Sequence, residues 1–92
     1  MTTPDNTAEV LAISGNYGLL QLPQRGFPAL SIQGDSLKCL QDSVQELAAA
    51  IASGNSEDVS YPLRDVLDQV TAMVISFEEM SALVGRQLPY FR

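Results

Sequence analysis

At 92 residues the chain has room for one domain and not for two. Eleven acidic residues against five basic ones give a net charge of −6, a field that repels phosphate backbones and anionic bilayers. Direct nucleic-acid binding and membrane-surface binding are therefore not expected.

Hydrophobic residues make up 46% of the chain but charged residues only 17%, few for a small domain that must cover its surface with polar groups. The surplus apolar surface predicts a homo-oligomer, or a partner that covers it. Cys39 is the single cysteine, so no disulfide can close within one chain, and there is no histidine. Without those ligands no zinc or iron–sulfur site is built from one chain, and no cofactor is expected. The opening stretch Met1-Thr2-Thr3-Pro4-Asp5-Asn6-Thr7 is polar and lacks the pattern of a secretory signal. No apolar run approaches the ~20 residues that cross a bilayer, and the expected location is the cytoplasm.

The pattern predicts one domain over residues 1–92. Strands occupy 8–34, a first helix 35–53 and a second helix 60–85, with tails at 1–7 and 88–92. Glu9-Val10-Leu11-Ala12-Ile13-Ser14 meets a turn at Gly15-Asn16-Tyr17-Gly18, and Leu19-Leu20-Gln21-Leu22 follows, together a β-hairpin. The prolines of Pro23-Gln24-Arg25-Gly26-Phe27-Pro28 lack the N–H a ladder needs, so this segment interrupts the sheet. Leu30 and Ile32 alternate with Ser31 and Gln33 as a third strand, stopped by Gly34.

Asp35 or Ser36 is placed to cap the first helix. Its apolar residues Leu37, Leu40, Val44, Leu47 and Ile51 recur at helical spacing, and Gly54 suits the left-handed residue past its end. Pro62 opens the second helix, whose stripe is Leu63, Leu67, Val70, Val74, Phe77 and Val84, closed by Gly85 and Pro89. The short loop makes the helices antiparallel neighbours. The expected fold is α+β: a three-stranded antiparallel sheet followed by a two-helix hairpin packed on one face, with both stripes in the core. Ile75 and Leu83 project from the opposite side of the second helix and are the expected dimer contact.

Gly34-Asp35-Ser36-Leu37 matches the nucleophile block of a large family of serine esterases and lipases. A serine there needs a histidine to take its proton, and the chain has none, so Gly34, Asp35 and Ser36 are read as a structural strand-to-helix junction. The carboxylate pairs Asp65/Asp68 and Glu78/Glu79 are read as solvated helix surface, and Cys39 falls off the apolar stripe without a base to activate it. No catalytic residue and no metal ligand is assigned, and the protein is not expected to be an enzyme.

The segment Leu22–Leu37 and the tail Leu88-Pro89-Tyr90 carry a family resemblance over nearly the whole length. The chain resembles an uncharacterised family of short bacterial proteins, a domain of unknown function, that shares a Leu-Pro…Arg…Phe-Pro…Gln-Gly-Asp-Ser-Leu block and a Leu-Pro-Tyr tail. That resemblance implies no activity. More distantly, Val10 to Ile51 is similar to HicB-type antitoxins, which implies docking on a protein partner. After that point a second long helix replaces the antitoxins' last strand, and no DNA-binding segment follows.

Two functional readings stay open. In one, the chain is an antitoxin-like or immunity-like binding module, its acidity suited to a basic partner. Arg25 and Phe27 between their prolines, with Tyr90 and Phe91 in the tail, then form the surface, because arginine and aromatic residues are frequent interface anchors. In the other, Arg25 and the N-terminus of the first helix hold a small anion.

Overall fold

The computed structural model describes residues 6–91; the expected tail residues 1–5 and Arg92 lie outside the described residues. Three strands come first: β1 (Glu9–Ser14), β2 (Tyr17–Gln21) and β3 (Ala29–Ile32). They form an antiparallel sheet in the order β1-β2-β3. Ser14 pairs with Tyr17, so the β1–β2 turn is only Gly15-Asn16, tighter than the four-residue turn expected. Gly15 takes a φ of 59°, which a two-residue hairpin turn of the II′ kind asks of its first central residue. The register slips between Val10 and Ala12, a bulge that leaves Leu11 without a partner.

Two helices follow, α1 (Gly34–Ser53) and α2 (Ser60–Leu83), joined through a 3₁₀ turn at Ser56–Asp58. Gly54, at φ 79°, ends α1 and returns its N–H to the Ile51 carbonyl at 3.1 Å, the left-handed cap anticipated from sequence. The Asn55 side chain accepts from the Glu57 N–H at 3.1 Å and starts the connecting turn. α2 stops at Leu83, two residues short of the expected end. There the N–H of Arg86 reaches back to the Ser81 carbonyl at 2.8 Å and that of Gly85 to Ala82 at 3.2 Å, closing the last turn.

The chain divides into two units, one built from the sequence up to Ile32 and from Met73 onward, the other from Gln33–Ala72. The first holds the sheet and the later part of α2. Its apolar core is thin: Leu19 from the central strand, with Met73 and Met80 from α2. Ser81 is fully buried in the same unit, and its hydroxyl has no hydrogen-bond partner among the described residues.

The second unit is the α1–α2 hairpin. It closes through polar groups: Ser43 Oγ donates to Asp65 Oδ2 at 2.7 Å, and Gln69 Nε2 donates to Ser43 Oγ at 2.8 Å. The apolar stripes expected in the core do not fill it, since Leu37, Val44, Ile51, Leu63, Leu67 and Val70 are all exposed. The packing face lies one position back from these residues on each helix, where Ser43 and Gln69 satisfy each other beside the half-buried Leu40, Leu47 and Val66. Asp65, expected as solvated surface, is drawn into this cluster because it is the acceptor Ser43 requires.

Candidate functional site

The site is assembled from the Pro23–Pro28 segment, β3, the part of α2 from Met73 onward and the tail, all in the unit that contains the sheet. Pro23 and Gln24 form a tight turn in which Gln24 takes φ 64°, the left-handed region that a glutamine adopts at a cost. Gln21 compensates. Its side-chain amide donates to the carbonyls of Leu22 at 3.1 Å and Arg25 at 2.6 Å, while its side-chain oxygen accepts from the Arg86 guanidinium at 2.8 Å. The turn is thus clasped from inside and tied to the segment after α2, and Arg25 stands exposed at its end.

Beside it is an apolar groove of about 320 Å³ lined by Pro28, Ala29, Leu30, Met73, Val74, Phe77, Pro89 and Tyr90. Tyr90 is fixed at its rim. The ring packs against Phe77 with centroids 6.4 Å apart and a 30° tilt, and the hydroxyl donates to Glu78 Oε2 at 3.0 Å. Glu78 is therefore part of the site and not idle helix surface, as the sequence suggested; the tail folds back to use it as an acceptor. Phe27, half-exposed, directly precedes the groove-lining Pro28, and Phe91, fully exposed, directly follows Tyr90.

Of the four residues expected to bind a partner, the structure places Tyr90 in the groove wall and Arg25, Phe27 and Phe91 exposed along the two segments that supply it. Phe77, Glu78, Leu30 and Pro89 were not singled out in the sequence, because Phe77 reads as one more member of an apolar stripe. The turn at Gln24 had a partial signal: a proline at the second position suits both type I and type II turns, and only the type II form puts a left-handed residue after it.

Ile75 and Leu83 are exposed, as projection from the polar side of α2 requires. Ile75 shares a shallow depression of about 290 Å³ with Glu78, Glu79 and Ala82, so carboxylates sit directly beside it.

The Gly34-Asp35-Ser36 junction opens α1, but the cap differs from the expected one. The N-cap is Gln33, whose side chain makes no capping bond; Asp35 lies within the first turn and accepts from the Ser36 N–H at 2.8 Å. The helix starts earlier because Gly34 and Asp35 already adopt helical geometry, which leaves Gln33 as the boundary. A carboxylate thus stands where an anion would approach α1. The nearest cation on the helix, Lys38, is engaged with Asp42 at 3.2 Å and Gln41 at 3.0 Å. Neither arrangement makes this helix terminus, taken by itself, a favourable place for an anion. Cys39 is exposed on the same helix.

Among the described residues no group of three or more potential ligands is placed to hold a metal ion, and no helix is long and apolar enough to cross a membrane. The molecule is an α+β protein, an open three-stranded antiparallel sheet followed by two helices. It belongs to a family of unknown function, DUF6959, whose model matches residues 3–90. No curated protein and no solved structure matches the chain at a significant level.

Proposed function

We propose that the chain is a non-catalytic protein-binding module whose docking surface is the Tyr90 groove with its flanking Arg25, Phe27 and Phe91. The observation that supports this is the pre-set state of the rim. Tyr90 is held by a ring contact and a hydrogen bond, and the turn before Arg25 is held by Gln21, so little side-chain freedom is lost when a partner arrives. A groove of this size, walled by proline, aliphatic and aromatic side chains, accommodates one apolar or aromatic anchor from a partner segment. The net charge of −6 favours a basic partner by steering the encounter, as an antitoxin-like or immunity-like inhibitor docking on a nuclease would use it.

The test compares the tagged protein with its Arg25→Ala and Tyr90→Ala variants in pull-downs from native lysate, with thermal melts in parallel. A protein retained by the parent and lost from both variants, at nearly unchanged melting temperature, supports the reading. Equal retention by all three chains refutes it.

A further inference from the structure

The α1–α2 hairpin has two unlike sides. Ser43 of α1 meets Asp65 and Gln69 of α2, and along the same faces Ser36, Leu40, Leu47 and Ala50 of α1 and Pro62 and Val66 of α2 are buried or half-buried. Moving one residue along a helix turns about 100° around its axis. One residue past the packing face lie Leu37, Val44 and Ile51 on α1 and Leu63, Leu67 and Val70 on α2, each between 41% and 61% exposed. The helices of a hairpin run in opposite directions, so the same forward step brings both rows to the same side of the pair. One residue back lie Asp35, Asp42 and Glu46 on α1 and Asp65 and Asp68 on α2, which are all the carboxylates these two helices hold within Gln33–Ala72.

We propose that the apolar side seats a second copy of this chain, the two hairpins closing into a four-helix bundle. Charge selects this occupant. Two chains that each carry −6 associate only where their carboxylates stay apart, and here every helix carboxylate of the unit faces away from the contact. A basic partner would find nothing to pair with on this side. Spacing agrees: Leu37, Val44 and Ile51 recur every seven residues, and Leu63, Leu67 and Val70 follow a four-then-three step, the pattern that lets helices interdigitate at about 20°. The area is close to what a dimer needs: α1, 20 residues long, offers a side about 30 Å by 10 Å, and α2 from Ser60 to Ala72 one about 20 Å by 10 Å, roughly 500 Å² in projection. Stable interfaces start from about 600 Å² per partner.

This inference does not rest on the groove reading, and it is tested without any other protein. Light scattering on micromolar samples should give twice the 9.9 kDa of one chain. Leu67→Glu should halve that mass, while Ile75→Glu and Leu83→Glu should leave it unchanged. A second measurement covers the case in which Leu67→Glu fails to fold. In a Cys39→Ser background, Val44→Cys should cross-link to a dimer with a short bis-maleimide, and Asp42→Cys, on the opposite side, should not. The proposal is overturned by a monomeric parent, by a folded Leu67→Glu chain that remains dimeric, or by Asp42→Cys cross-linking as well as Val44→Cys.

Discussion

The guanidinium of Arg86 donates to the side-chain oxygen of Gln21 at 2.8 Å across 65 residues of sequence. With that oxygen held, the amide end of Gln21 points into the Pro23–Gln24 turn, where it serves two carbonyls. Removing either partner should loosen the turn. Gln21→Ala is expected to cost about 1–2 kcal/mol and Arg86→Ala about 1 kcal/mol, with the double variant costing less than the sum. Denaturant titrations of the four chains check this; strict additivity would mean that the contact carries no energy.

Gln24 stores strain in that same turn. Its left-handed backbone costs about 1–2 kcal/mol relative to glycine, whereas glycine costs about 0.5–1 kcal/mol in chain entropy. Gln24→Gly should therefore raise stability slightly, and Gln24→Val, β-branched at positive φ, should lower it. A thermal melt of each variant reads the two opposite signs.

Ser43 is shared between two partners, so its loss leaves Asp65 and Gln69 each short of a bond. Ser43→Ala is expected to destabilise by about 1–2 kcal/mol. Ser43→Thr, which keeps the hydroxyl, should restore part of that. Urea midpoints at fixed protein concentration measure both.

Ser81 presents the reverse case. Its hydroxyl is fully buried with no partner among the described residues, so Ser81→Ala removes a desolvated group and should be neutral or stabilising by up to about 1 kcal/mol. A clear loss of stability would show that the hydroxyl has a use the structure does not display.

Ser36→Ala should leave both fold and partner binding intact, because the hydrogen bond at this residue comes from its main-chain N–H to Asp35. Ester hydrolysis by the purified protein that vanishes in this variant would overturn the expectation that Ser36 is structural.

Local signals carried the fold a long way. Gly15-Asn16 announced the hairpin, alternation at Leu30 and Ile32 announced β3, and Gly54 announced the end of α1. Periodicity set Leu37, Leu40, Val44, Leu47 and Ile51 on one core stripe, whereas the structure half-buries Leu40 and Leu47 and leaves Leu37, Val44 and Ile51 exposed. What periodicity could not reveal was the destination of the exposed rows, because a row such as Leu63, Leu67 and Val70 looks the same whether its own chain or another covers it. The polar members of the packing face beside it were invisible for the opposite reason. Ser43 and Gln69 become suitable for an interior only once they meet, and nothing in either residue's neighbours announces the other. Tyr90 was legible as an anchor type; its acceptor Glu78 was not, since the tail's return depends on contacts distant in sequence.

Because the sheet's unit is completed by the chain from Met73 onward, its order of assembly during synthesis is constrained. The β-hairpin is made first, yet Met73 and Met80, the companions of Leu19, leave the ribosome only after the whole Gln33–Ala72 segment has emerged. Contacts of such long separation form slowly. The helical hairpin, whose Ser43 bonds span 22 and 26 residues, is fully synthesised before that point. The strands wait with Leu19 uncovered until the later part of α2 arrives. In a growing chain the unit that encloses the inserted segment can be completed only after that segment has been made.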